Sequence, residues 1–463
     1  MKPLLFIMSL IMSMSLFAAP INWPSFQVPG LDKPQLRYAD IQAYLAQAKA
    51  DPQFRVDKIG QSFEGRDIFR IGFGQGPVRV MLWSQMHGDE PTATAAVFDL
   101  IARIQQDQAW RAQWQNKLSL YIIPMLNPDG AERATRENAQ GIDINRDAAA
   151  LQTPEGRILL EQAKAIKPAF GFNLHDQNRF YAAGDSLNPA TISLLAPAFD
   201  QAKTISPARK KAMQLIGVLK QVADEMIPGH LGRYDDTFAP RAFGDNLAGM
   251  GISTILIESG AHRNDANRQV ARTLNLAMLS AAIDSIASAG FENQSLSAYQ
   301  AIPMNRREAF RDVIIKNVQV EANSQSYQLD IALDLDLPDA DAVRIKEVGD
   351  LSTYTAFFTF DAEGWHYKPA REYRLDAPLV LDKAGYLALL KQGIGIFDRN
   401  GHPIENRSTL PLAIKTTLSS QPKPHKNGPA IFFLEHQDGR QMAVIQGLLI
   451  DLEQGKVLNR YST

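Results

Sequence analysis

Val78-Arg79-Val80-Met81-Leu82-Trp83 runs directly into Ser84-Gln85-Met86-His87-Gly88-Asp89-Glu90-Pro91. The first six residues are apolar apart from Arg79, a pattern that suits a central strand covered on both faces. Pro91 then leads into a helical stretch, Ala93–Gln106. Between strand and helix, His87 and Glu90 stand three apart, where both can point at one metal ion. The spacing alone is weak, because it recurs at His402-Pro403-Ile404-Glu405. That copy lies in a Gly/Asn/Pro turn without a partner and reads as a surface loop.

Working outward, the same alternation repeats. Leu118–Ile123, Ala169–Leu174 and Ile252–Ile257 are further strand-like runs. Helix-like stretches at Glu155–Ala165, Ser206–Glu225 and Asn267–Ser288 follow or separate them, and Tyr38–Ala50 precedes them all. Alternating β and α of this kind predicts an α/β fold with a mixed, mainly parallel sheet flanked by helices. Open sheets of this class present ligands at the carboxyl ends of their strands. His175 ends one strand in Asn173-Leu174-His175-Asp176, and Glu258 ends another in Ile257-Glu258-Ser259-Gly260. His87, Glu90 and His175 would then make a two-His, one-carboxylate zinc site with a position left open to water, the catalytic arrangement.

Composition narrows the chemistry. The 463 residues hold no cysteine and eight histidines, so thiolate zinc, iron–sulfur clusters, disulfides and thiol catalysis are excluded. With 48 Lys+Arg against 50 Asp+Glu, the chain lacks the basic footprint of a nucleic-acid binder. Residues 1–19 pair one lysine with a short apolar run and end in Ala18-Ala19, which reads as a signal peptide and implies export to the periplasm or medium. No later segment is expected to be apolar for long enough to cross a membrane. Residues 20–292 are expected to form the catalytic domain. Residues 308–463 are expected to form an all-β, sandwich-like accessory domain built from short strand-like runs, among them Arg374–Val380, Leu412–Thr417 and Met442–Ile450, between turn signals such as Asn400-Gly401.

The pieces HGDE (87–90), NPDG (127–130), TREN (135–138), GIDINRD (141–147), NLHD (173–176) and IES (257–259), with IGQSFEGRD (59–67) upstream, occur in that order. In these the chain resembles the zinc metallocarboxypeptidases related to carboxypeptidase A, over roughly residues 35–290. The resemblance implies one zinc per chain held by His87, Glu90 and His175. It further implies Glu258 as the proton-transferring glutamate, Arg136 as the arginine that stabilises the oxyanion, and Asn145 with Arg146 as the grip on a terminal carboxylate. Tyr234 is the nearest counterpart of the family's mobile tyrosine. The segment Arg233–Asn246, with Asp235, Asp236, Arg241, Phe243 and Asp245, is expected to line the specificity pocket. Asp147 departs from the neutral residue of the digestive enzymes and is expected to tune the carboxylate grip. His262, four residues after Glu258, reads as a surface residue. The function so implied is a metallocarboxypeptidase acting on peptides or peptidoglycan peptides. An amidase or deacylase sharing the same zinc set, and a secreted peptide- or envelope-binding protein, are the alternatives.

Overall fold

Period-two burial sorts the central strands onto two faces. The computed structural model describes residues 21–335, 343–415 and 419–459, so the expected signal peptide lies outside the described residues. Among the described residues, nine strands precede residue 300: β1 (Arg55–Gln61), β2 (Asp67–Phe73), β3 (Val78–Ser84), β4 (Leu118–Ile123), β5 (Phe170–Asp176), β6 (Ala182–Ala183), β7 (Ile192–Leu195), β8 (Leu231–Arg233) and β9 (Ser253–Ser259). All but β6 form one sheet in the order β1-β2-β4-β3-β5-β9-β7-β8. The pairs β4/β3, β3/β5, β5/β9 and β7/β8 are parallel; the other three are antiparallel. The sheet is thus mixed, as the sequence implies.

On β3, Val80 and Leu82 join the core shared with helices Thr92–Gln106, Pro207–Met226 and Gln269–Ser288. Met81 and Trp83 face the opposite core, against helices Pro154–Ile166 and Phe243–Gly249. Each such side chain, fully buried, contributes about 1.5–3 kcal/mol. A buried ion pair crosses the first core: Arg272 Nε and Nη2 each donate to Asp99 at 2.7 Å. Helix Gln269–Ser288 is long and apolar enough to meet the criterion for a membrane span, contrary to the sequence expectation. Its most apolar stretch is 67% buried, so its apolarity is that of a core helix.

Because β3 lies between β4 and β5, the chain leaves its carboxyl end in one direction and returns on the other side. That end is a topological switch point, where open α/β sheets place their ligands.

Past residue 300, β10 (Asn305–Arg306) pairs with β6, and β11 (Phe310–Ala322) pairs with β12 (Gln325–Leu333) in a nine-stranded sheet. Two expected strands are divided. Met442–Ile450 is a hairpin, Gln441–Ile445 and Leu448–Asp451, because Gln446 and Gly447 both adopt positive φ, as a tight hairpin turn requires. Arg374–Val380 falls across Arg371–Arg374 and Leu379–Leu381, with Pro378 in the gap. Of Leu412–Thr417, the described residues 412–415 form an isolated bridge between Ile414 and Phe397, and Thr416 and Thr417 lie outside the described residues. The part is not wholly β. Helix Lys383–Lys391, capped by Asp382, packs Tyr386 and Leu390 against the sheet. Short helical spacing inside a strand-rich tract conceals it from pattern reading.

Candidate metal centre and cleft

The turn after β3 is set by Gln85, whose backbone takes φ 47°. Its buried amide donates to the carbonyls of Leu36 at 2.9 Å and Gly88 at 3.0 Å. The chain is thereby folded so that His87 and Glu90 face the end of β5. Gly88 is required by close approach: a Cβ there would stand 1.9 Å from the Gly130 carbonyl carbon. The HGDE and NPDG loops therefore meet backbone to backbone.

His87, Glu90 and His175 are 1%, 8% and 2% exposed, and one ligand atom from each lies within 4.8 Å of the others. His87 Nδ1 is 2.8 Å from Glu90 Oε1, and His175 Nδ1 is 2.7 Å from Glu90 Oε2. The two Nδ1 atoms are 3.2 Å apart. Two imidazole nitrogens turned towards each other and a carboxylate form a borderline donor set suited to Zn²⁺, and a bound cation would satisfy all three together. The donors fit the metal that the sequence implies.

Asp143 is the residue that sequence reading left without a role. It caps the turn Ile144–Arg146 through the Asn145 amide. Its Oδ1 lies 3.0 Å from His87 Nε2, and its Oδ2 accepts from Arg136 Nε at 3.0 Å. One carboxylate thus fixes the outward nitrogen of a ligand histidine and aims the arginine. The only sequence signal was its place two residues before Asn145 in a quoted piece. Burial opposes charge on His87, but Glu90 and Asp143 more than offset this and lift its pKa to about 9. Burial also opposes charge on Asp143, yet His87, Arg136 and Arg146 hold its carboxyl well below the usual range.

Glu258 sits in register with His175 across β9 and β5. It is 9% exposed, and its Oε2 has no hydrogen-bond partner. Burial, then the neighbouring charge of Glu90, pushes its carboxyl up to about 8. Arg136 reaches over the ligands, with Nη1 3.2 Å from Glu90 Oε1.

These groups line a cavity of about 410 Å³ that also receives Asn145, Arg146 and Tyr234. Asn145 Oδ1 accepts from the Phe243 amide at 2.9 Å, and exposed Arg146 donates to the Asn145 carbonyl at 2.7 Å. Burial, followed by the charge of Glu258, raises the Tyr234 hydroxyl pKa well above its usual value. The phenol approaches that of Tyr181 at 3.5 Å.

Three expectations need correction. Asp147 does not face the cleft: its carboxylate is buried and accepts from the amides of Gln152 and Thr153 and the Thr153 hydroxyl. Within Arg233–Asn246, Asp235 and Asp245 line the cavity, but Phe243 is core, and Asp236 pairs with Lys203 and Arg209. His262, expected at the surface, accepts or donates at 2.9 Å to Thr191 Oγ1, with its ring centroid 4.6 Å from that of His230. His402 and Glu405 lie in the strand-rich part, where Glu405 pairs with Arg407.

Part of the chain is similar to known proteins. Residues 41–159 match the family described as zinc carboxypeptidase, a span that includes His87, Glu90, Arg136, Asn145 and Arg146 and ends before His175 and Glu258. A probable carboxypeptidase 2 of Trichophyton verrucosum is 24% identical over 156 residues, 34% of this chain and 28% of the relative. Carboxypeptidase E of Caenorhabditis elegans is 32% identical over 117 residues, 19% of this chain and 24% of the relative. The chain therefore spans less than a third of the length of these relatives. Among solved structures, a metallo-carboxypeptidase from Burkholderia cenocepacia superposes with a TM-score of 0.46 at 17% identity, over 56% of this chain and 70% of that one.

Proposed function

We propose that this chain, with its zinc carboxypeptidase segment, is an exported zinc-dependent carboxypeptidase that hydrolyses the C-terminal bond of peptides, cell-wall peptides among them. The observation that carries the reading is the gathering of His87, Glu90, His175, Glu258 and Arg136 around one cleft that also receives Arg146. Zinc held by the two Nδ1 atoms and Glu90 would supply Lewis acidity and lower the pKa of water at its open position.

The chain's own residues account for the rest. Glu258 Oε2, buried and free of hydrogen bonds, is the atom that takes a proton from the attacking water and passes it to the departing amine. Arg136, held by Asp143 through Nε, keeps a fixed positive charge where the tetrahedral oxyanion forms. Arg146 offers a planar fork for a carboxylate, and Asn145 is anchored beside it. The apolar run and Ala18-Ala19 at the N-terminus support export.

Glu258→Gln tests the mechanism. The variant should retain zinc by metal analysis and lose at least ~10²-fold in kcat on peptides with a free C-terminus. Turnover equal to the wild type would refute it.

A further inference from the structure

The cleft carries a cation that comes from outside the α/β sheet. Arg307 lies in the short segment between β10 and β11 and lines the same cavity as Glu258 and Arg146. Its guanidinium carbon stands 5.9 Å from the centroid of the Tyr181 ring. Arg307 is exposed, whereas Arg136 is held by Asp143 and Glu90.

The position is built. On one side of Arg307, β10 pairs with β6, and the Asn305 side chain accepts from Ser193 Oγ and donates to Gln177 Oε1, both at 3.0 Å. On the other side, the Ala309 amide donates to the Phe180 carbonyl at 3.1 Å, and Phe310 packs with Phe180 and Ala182. Glu308, next to Arg307, adopts φ 51°, which turns the chain sharply between the two anchors. The residues following His175 therefore receive this strap and hold its arginine over the tyrosine wall.

The lining divides by contact. Asn145 and Arg146 share their side with the Phe243 backbone, whereas Arg307 shares its side with Tyr181 and Tyr234. With a terminal carboxylate at Arg146 and the scissile bond at Glu258, the part of the lining formed by Tyr181, Tyr234 and Arg307 is what is left to meet the rest of a peptide. Resting on the proposed peptidase reading, we propose that Arg307 binds a carboxylate of the substrate on the N-terminal side of the scissile bond. The enzyme would thus favour peptides bearing an acidic residue there, and the strand-rich part would complete the specificity of the cleft through this strap.

The test uses the full zinc-loaded protein and a set of peptides with free C-termini, carrying Glu, Gln or Lys at the first and second positions before the scissile bond. At one of the two positions the wild type should favour Glu over Gln in kcat/KM by roughly three- to tenfold, the scale of one partly exposed charge-assisted contact. Arg307→Ala should abolish that ratio, Arg307→Lys should keep most of it, and Arg307→Glu should reverse it in favour of Lys. An acidic preference unchanged in Arg307→Ala, or absent from the wild type, would overturn the proposal. If no peptide were hydrolysed, the peptidase reading would fail separately. Calorimetric binding of the Glu and Gln peptides to the Glu258→Gln protein and to its Arg307→Ala derivative would then decide the role of Arg307, with equal Glu-to-Gln affinity ratios counting against it.

Discussion

His87 Nδ1 and His175 Nδ1 lie 3.2 Å apart, and each approaches a different oxygen of Glu90. Nitrogen lone pairs brought this close need a proton or a cation between them. Zinc added to chelator-treated protein should therefore raise Tm, by an amount equivalent to about 2.7 kcal/mol when free zinc is 100-fold above Kd. Glu90→Ala should abolish the shift in a calorimetric scan. A shift that persists in the variant would place the metal elsewhere.

Asp143 contacts both His87 and Arg136, so on the proposed reading its loss should weaken two functions together. Asp143→Ala should lower zinc affinity about 10- to 100-fold, the usual effect of removing the partner of a ligating histidine. Competition against a chromophoric chelator measures this. The zinc-saturated variant should also show reduced kcat, because Arg136 loses its anchor at Nε.

Arg146 separates an exopeptidase from an amidase that uses the same metal set. With a free C-terminus, Arg146→Ala should cost roughly 10²-fold in kcat/KM, the scale of a lost charge-assisted pair. Amidating the substrate should cost the wild type a similar factor and the variant little more, as a double-mutant logic requires. Equal rates on free and amidated peptides would favour the amidase.

Asp245, on the cleft wall, titrates near about 6 because burial disfavours its charge, although it accepts from the Ala239 amide. A carboxyl whose folded pKa exceeds its unfolded value binds more protons when folded. Its contribution to stability is present at acid pH and lost as pH rises through about 4 to 6. Asp245→Asn should therefore match the wild type below about pH 4, gain on it across that window, and be more stable by up to ~3 kcal/mol at pH 7. Urea unfolding at a series of pH values gives the difference directly.

The parts of the fold legible in sequence were those covered on both faces. β3, β4, β5 and β9 are nearly continuous apolar runs because helices cover both sides of them, and Leu118–Ile123 and Tyr38–Ala50 match residue for residue. Strands β1 and β2 escaped because their burial is broken: in Arg55–Gln61 every residue is exposed or half-buried. Strand β8 has only three residues and owes its conformation to its neighbour β7. Within the site, residues whose chemistry is set by their own type and strand position, His87, Glu90, His175 and Glu258, could be read directly. Asp143, Tyr181 and Arg307 could not, because each takes its place only through a contact made in the folded chain. Asp147 shows the converse, a charge next to Arg146 in sequence whose hydrogen bonds turn it inward.

The contact of Gly88 with Gly130 joins two loops with no side chain between them to act as a cushion. One loop carries His87 and Glu90, and the other leads into Arg136. The first loop therefore cannot move towards the second without a backbone clash. Elsewhere in the lining, Tyr181 and Tyr234 approach through their hydroxyls at 3.5 Å, and Arg307 stands beside the Tyr181 ring. On the proposed reading, the locked loops hold the groups that act on the bond, and the tyrosines with Arg307 meet the rest of the peptide.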